Sequence, residues 1–401
     1  MFSSLRSRLD QSLKAKLLLK ELLIGIPRTL AGKGFRRFDQ RDRILVFDER
    51  LPTPDRDAGS LRTLRVLKVL AERYQVIFIP YTRNAALESV LTESGIDVAD
   101  VSEYRWLLKN ARATAAILNR PSMAELFLPT IKRLSPNTRI IFDTVDVHFV
   151  RLQREYELTQ DADTLSDANR HRKLETDLTK AADVVWCASI DDKRLLANEA
   201  GEANFAIIPT LHEVDTSGIP FAKRSDLLFV GSFLHRPNAD AMLYFVREIY
   251  PLITRQLPDV VVNIVGADPP DELKAYNSEH LRVLGYVPDL KPYLRGSRIF
   301  IAPLRYGGAG TKGKVGEALA HGLPVVTTSI GAEGFGLTND ADAAIADEPD
   351  RFATRVADVY NDEQLWLRLS VNGQRIIEDG FSPAAVEAAI LRSIHPGDAQ
   401  N

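Results

Sequence analysis

The residues richest in chemical possibility lie at positions 302–328, APLRYGGAGTKGKVGEALAHGLPVVTT. An apolar run ending at Ala302 leads into Gly307, Gly308, Gly310 and Gly313, and helical sequence begins near Lys314. Glycines let a backbone approach an anion closely, and the open amides of a helix start face that anion. Thr311 adds a hydroxyl, and Lys312 and Lys314 add full positive charges. Glu317 follows Lys314 by three residues and shares its helical face. Cations and amides suit a diphosphate, and the carboxylate suits hydroxyl groups. The competing reading is a turn whose glycines serve chain reversal, beside a solvated Lys–Glu pair. The stretch is not a P-loop, since the order GxxxxGK[ST] is absent, and no GxGxxG follows the first strand of either half.

A second group lies in the first half. In residues 51–62, LPTPDRDAGSLR, prolines shape a loop, Gly59 permits close approach and Ser60 is placed to cap the next helix. In residues 142–151, FDTVDVHFVR, Asp146 and His148 sit where a strand ends, suited to orienting or deprotonating a substrate hydroxyl. The alternatives are an N-cap for Asp146 and a packed helix-start residue for His148. Glu175, Asp177 and the other charges of 161–183 read as a solvated helix face. Asp55-x-Asp57 has metal-binding spacing, but Asp161-x-Asp163 and Asp340-x-Asp342 repeat it, so the pattern is cheap in this chain. The seven histidines never pair at metal-ligand spacing, and the single cysteine, Cys187, excludes an internal disulfide and a cysteine zinc site. No metal and no cofactor is expected.

These residues need a frame. The 401 residues, 45% hydrophobic and 26% charged, are ordinary for a globular chain and too many for one core. Strands are expected at 44–47, 76–79, 115–118, 139–142, 184–186 and 206–209, each separated by helical sequence such as 60–73. Polar residues 210–225 mark a boundary, after which strands recur at 227–230, 260–265, 283–287, 299–301 and 325–326, with one long helix over 237–257. Continuous β-branched runs indicate parallel strands covered on both faces. The expected class is α/β, two doubly wound halves facing across a cleft.

Residues 1–43 hold eleven Lys or Arg against four Asp or Glu, which leaves the rest of the chain with 40 basic and 50 acidic groups. Phe2, Leu5, Leu9, Leu13 and Leu17 recur at helical steps beside Arg6, Arg8, Lys14, Lys16 and Lys20. Such a helix either lies in the headgroup layer of an anionic membrane, through residues 1–30, or docks on the protein itself. No spanning helix, secretory signal or nucleic-acid partner is expected, and the cysteine usage points to the cytoplasm.

The second half resembles the donor domain of retaining GT-B glycosyltransferases of the family-4 type (glycosyl transferases group 1). The likeness runs through Phe229-Val230-Gly231-Ser232, Pro237-Asn238, Ile264-Val265-Gly266, Leu284-Gly285-Tyr286-Val287-Pro288-Asp289, the 302–317 loop and helix, and Gly322-Leu323-Pro324-Val325-Val326. Residues 142–151 resemble a segment of a polysaccharide-building branch. The resemblance implies a GT-B fold: a basic amphipathic leader at 1–42, an acceptor-side Rossmann-like domain at 43–212, a nucleotide-sugar domain at 213–380, and a helix at 381–401 packing back on the first domain. It implies that Glu317 holds ribose hydroxyls, that Lys314, Lys312, Thr311 and the amides around Gly308 and Gly310 hold the diphosphate, and that Tyr286 and Val287 meet the base. Gly59, Ser60 and Gly231 would line the donor side, and Lys314 would stabilise the leaving oxygen beside Asp146 and His148. Two departures stand out. The first of the family's two glutamates falls on Ala309, and Ser232 follows Gly231 where an Arg is usual, leaving Arg236 to reach the phosphates. The implied activity is sugar transfer from a nucleotide sugar to a glycan or lipid-linked acceptor in cell-surface polysaccharide synthesis, peripheral to the inner membrane face. The alternatives are a nucleotide-sugar 2-epimerase and a non-catalytic nucleotide-sugar-binding module.

Overall fold

A run such as Ile44 to Phe47, apolar at every position, needs cover on both faces of its sheet. The computed structural model, which describes residues 38–53, 58–308 and 310–395, supplies that cover twice. The first sheet contains β1 (Arg43–Arg50), β2 (Gln75–Thr82), β3 (Asp97–Val98), β4 (Ala115–Asn119), β5 (Arg139–Asp143), β6 (Val184–Cys187) and β7 (Phe205–Ile207). They lie in the order β3-β2-β1-β4-β5-β6-β7, with every pair parallel. Leu45 and Phe47 point into a core with Phe127 and Phe142, while Ile44 and Val46 point into another with Phe78 and Trp186.

The second sheet contains β8 (Ser225–Val230), β9 (Val262–Val265), β10 (Leu281–Gly285), β11 (Ser297–Ala302), β12 (Val325–Thr327) and β13 (Ala344–Ile345). Their order is β10-β9-β8-β11-β12-β13, again parallel. Leu227 and Phe229 face a core with Phe245 and Trp366, and Leu228 and Val230 face one with Phe300 and Leu319. Each such side chain, fully buried, contributes roughly 1.5–3 kcal/mol. The strand order reverses between β1 and β4 and between β8 and β11, and ligands of doubly wound sheets bind at the carboxyl ends beside such reversals.

Several expectations need correction. The long helix expected over 237–257 runs without interruption from Arg236 to Gln256, but it contains a π turn at Phe245–Ile249 between two α-helical stretches. Pro251 explains that turn, because its ring lacks an N–H and crowds the preceding turn, and the wider winding absorbs the mismatch. The helix expected from position 60 runs over Ala58–Arg73, so Ser60 lies inside its first turn rather than capping it. The two-residue edge strands β3 and β13 were too short to show a pattern. Asp161, read as half of a metal-like pair, caps the helix Ala162–Ala181 by accepting from the Thr164 amide. Positions 1–37, Asp55, Asp57 and Ala309 lie outside the described residues, and so does the leader helix. Among the described residues no helix is long and apolar enough to cross a membrane.

The chain returns to its first lobe after completing the second. The helix Glu363–Phe381 packs in the second lobe through Trp366, Leu369 and Ile377. The helix Pro383–Ile394 then inserts Val386, Ile390 and Ile394 into the core of Phe78 and Trp186. The Trp186 indole donates to the Ser393 hydroxyl at 2.9 Å. Ile390 is fully buried, so Ile390→Ala is expected to lower stability by about 2–5 kcal/mol. Urea unfolding followed by tryptophan fluorescence measures this. An unchanged midpoint would mean that the helix is not part of the first lobe's core.

Candidate functional site

The carboxyl ends of β5 and β6 in one lobe face the loop after β11 in the other. At the end of β5, the buried Asp143 accepts from Arg62 at 2.7 Å, and Arg62 also donates to the Ile208 carbonyl at 2.9 Å. The other Asp143 oxygen accepts from the Val145 amide at 3.1 Å. Val145 has φ of 59°, a conformation that is costly for a β-branched residue. The Asp146 amide bonds back to the Thr144 carbonyl at 2.6 Å, which completes a tight reversal. This turn, fixed by a buried ion pair, carries Asp146 to the edge of the lobe.

Asp146 does not cap the helix that follows. The cap position of His148–Thr159 is Val147, which has no side-chain acceptor. The two oxygens of Glu175 instead accept from the His148 and Phe149 amides at 2.9 and 3.0 Å. Glu175 is therefore fully buried rather than on a solvated face, and burial raises its carboxyl to about 8 despite the two amides. The His148 ring meets that of His171 edge-on, with centroids 5.3 Å apart. Burial, opposed by Asp146, depresses the His148 imidazole to about 3, so it is neutral at physiological pH. One ligand atom from each of His148, His171 and Glu175 lies within 4.8 Å of the others, His171 and Glu175 one turn apart on Ala162–Ala181 and His148 at the start of the preceding helix.

The glycine-rich loop comes to meet Asp146. A methyl group on Gly308 would overlap the Asp146 carboxylate, and one on Gly310 would sit 2.9 Å from Oδ2 of Asp192. Burial alone would raise the Asp146 carboxyl, but the nearby cations Arg151 and Lys312 outweigh it and hold the group below its ordinary value. Arg151 is 3.3 Å away. Lys312 folds over the loop, donating to the Gly308 and Gly310 carbonyls at 2.6 and 3.0 Å and approaching Glu333 at 3.3 Å. Five further hydrogen bonds join the lobes. Arg154 forks onto Glu333 at 2.7 Å and donates to the Gly307 carbonyl at 3.1 Å. Arg236 donates to Glu155 at 2.7 Å, and the Gly334 amide donates to Asp191 at 3.1 Å.

The helix Gly313–Ala320 starts behind this loop without a side-chain cap, leaving its first amides open to an anion. The Thr311 hydroxyl is buried and makes no hydrogen bond among the described residues. Lys314 and Glu317 pair at 2.7 Å, both partly exposed. Arg65 arrives from the first lobe. Burial lowers its basicity, while Glu317 and Glu213 support its charge. His212 lies against the helix at Gly316, where a methyl group would strike its ring, and burial helped by Arg65 and Lys314 depresses it to about 3.

The structure thus gathers Asp146, Gly308, Gly310 and Lys312 at the lobe junction, with Thr311, Lys314 and Glu317 just behind. His148 turns toward His171 and Glu175. Arg236 is engaged by Glu155, though much of its side chain remains exposed. Gly231 follows β8 and lies beside Gly266, and Tyr286 and Val287 follow the outer strand β10, Tyr286 being 56% exposed. Gly59 and Ser60 lie in the first turn of Ala58–Arg73. Arg65, Arg154, Asp192 and Glu333 carry no signal in the linear sequence, since the groups they meet across the junction, Glu317, Glu333, Gly310 and Arg154 in turn, are more than a hundred residues away.

Residues 224–362 match the family model of the Glycosyl transferases group 1. A protein of Klebsiella pneumoniae, described as an uncharacterized 44.6 kDa protein in the cps region, is 25% identical over 176 residues. That match spans 42% of this chain and 45% of that protein, less than half the length of the curated relative. Sucrose-phosphate synthase of Thermosynechococcus elongatus superposes with a TM-score of 0.65 at 15% identity, over 88% of this chain and 98% of that one. HepE of Anabaena in complex with UDP-glucose gives a TM-score of 0.67 at 14% identity, over 88% and 99% of the two chains. The fold is GT-B: two Rossmann-like lobes facing each other.

Two outcomes follow from this geometry. Gly308→Ala is expected to cost about 1–3 kcal/mol through overpacking, and Asp146→Ala in the same chain should recover most of it. Thermal unfolding of the single and double variants tests the contact, and additive losses would refute it. Glu175 ionises near 4.5 when unfolded and near 8 when folded, so its contribution to stability is full below pH 4.5 and is lost as pH rises through 8. Glu175→Gln should flatten the fall in urea midpoint between pH 5 and 8, and an unaltered slope would contradict that assignment.

Proposed function

With residues 224–362 matching the group 1 glycosyltransferases and the described residues in the GT-B arrangement, we propose that this protein is a glycosyltransferase. It moves a sugar from a nucleotide-sugar donor to a glycan or lipid-linked acceptor during cell-surface polysaccharide synthesis. The observation that carries this reading is the uncapped start of Gly313–Ala320, with Thr311, Lys314 and Glu317 behind a loop closed by the opposite lobe. A diphosphate placed there meets open amides, a free hydroxyl and an ammonium group. Glu317 is then available for ribose hydroxyls, because a partly exposed Lys–Glu pair costs only about 0–1 kcal/mol to separate. HepE holding UDP-glucose supports a nucleotide-sugar donor by analogy, and the cps-region relative supports the polysaccharide context.

In the transfer, the bond from the anomeric carbon to the diphosphate oxygen breaks and the acceptor oxygen bonds to that carbon. Negative charge grows on the leaving oxygen, where fixed amides and Lys314 stabilise it. The acceptor proton passes to the leaving phosphate, the acceptor attacking on the same face, so the anomeric configuration is retained without a protein nucleophile. Retention rests on the family likeness. The charge stabilisation uses protein groups alone, which makes the proposed transfer metal-independent. A neutral His148 of low basicity suits holding an acceptor hydroxyl rather than removing its proton, and the ionised Asp146 beside it can orient that hydroxyl. The basic leader, residues 1–30, would keep the enzyme at the inner membrane face, where lipid-linked acceptors reside. Alanine at position 309 favours a second reading, nucleotide-sugar binding without turnover.

Incubation with UDP-, GDP- and dTDP-sugars and lipid-linked acceptors separates the two readings: acceptor-dependent release of nucleoside diphosphate supports transfer, and binding alone supports the second. Glu317→Ala should weaken nucleotide binding about tenfold or more by calorimetry, and Lys314→Ala should lower kcat about a hundredfold. Unchanged nucleotide affinity in Glu317→Ala would remove that residue from the donor site.

A further inference from the structure

Position 309 is flanked by two glycines that each abut a carboxylate of the opposite lobe: Gly308 faces Asp146 and Gly310 faces Asp192. Asp192 lies in the first turn of the helix Ile190–Ala200 and is completely buried. Its amide donates to the Ser189 hydroxyl at 3.0 Å, and that hydroxyl donates to Asp192 Oδ2 at 3.1 Å. Oδ1 is buried and makes no hydrogen bond among the described residues. A buried acceptor without a donor is costly, and a carboxylate more so. The structural needs of the helix are met by Ser189 and Oδ2, so they leave Oδ1 unexplained.

We propose that Asp192 is a sugar-recognition residue, whose Oδ1 accepts a hydroxyl of the donor's sugar ring beside the glycine-rich loop. The proposal rests on the nucleotide-sugar reading of the site. It assigns to the first lobe the contact that a carboxylate at position 309 would otherwise make. The ligand must bring a hydrogen-bond donor to a carboxylate, which a ring hydroxyl does and a phosphate does not. The bare backbone at Gly308 and Gly310 leaves room for carboxylates to come down on either side of that ring. Burial, then the nearby Asp146, raises the Asp192 carboxyl to about 7, with Lys312 opposing. The contact is therefore expected to change with pH near neutrality.

The test compares the affinity of each nucleoside diphosphate with that of its sugar conjugate, using UDP, GDP and dTDP against UDP-glucose, UDP-galactose, GDP-mannose and dTDP-rhamnose. In the wild type one conjugate should bind more tightly than its diphosphate. Asp192→Ala should weaken that conjugate about tenfold while changing the diphosphate less than about twofold. Asp192→Asn, nearly isosteric, should fold as the wild type and abolish the pH dependence of the sugar increment between pH 6 and 8. Ala309→Glu combined with Asp192→Ala should restore part of the increment. Equal losses for conjugate and diphosphate, no loss for either, or a wild type that gains nothing from any of these sugars would overturn the proposal. Failure of all three diphosphates to bind would instead refute the nucleotide-sugar reading itself.

Discussion

Carboxylates leave water reluctantly, and at the junction of the lobes two of them, Asp146 and Asp192, are brought against the backbone of another domain. This is possible because Gly308 and Gly310 present no side chain where the acids arrive, and because Lys312 lies across the same loop with its ammonium on two of its carbonyls. The loop is therefore a contact surface for the first lobe as well as the proposed anion cradle of the second. Substituting either glycine would disturb both roles together. Few residues are so constrained from two directions.

The constraint reaches back into the first lobe. Asp146 is placed by the strained turn at Val145, and that turn is held by Asp143, itself locked to Arg62 in a buried pair. Removing one member of such a pair strands a charge in the interior, which costs far more than an exposed ion pair is worth. Arg62 thus belongs to the site without touching it. Glu175 plays a similar part on the other side of Asp146, fastening the start of His148–Thr159 from a neighbouring helix.

Much of the frame was legible in the sequence because parallel strands buried on both faces announce themselves as unbroken apolar runs, and Ile44 to Phe47 and Leu227 to Val230 needed no context to be read. The glycine-rich loop and the helix beyond it were legible for the same reason, since their chemistry is local. What could not be read was whatever depends on residues distant in sequence. Glu175 looks like one more charge on a polar helix, and only the fold reveals that it supplies a missing cap 26 and 27 residues away. Arg154 and Glu333 are 179 positions apart, and nothing in either neighbourhood names the other. The helix over 237–257 was legible from its pattern, but the π turn inside it has no compositional signature.

The helix Pro383–Ile394 completes the hydrophobic interior of a lobe whose other members were all laid down before residue 212. During synthesis, that interior stays open on one side while the whole of the second lobe is being made, until residues beyond 390 have emerged. Until that helix arrives, Trp186 and its neighbours lack the side chains of Val386, Ile390 and Ile394 that cover them in the finished fold. The second lobe, contiguous in sequence, can close on itself first.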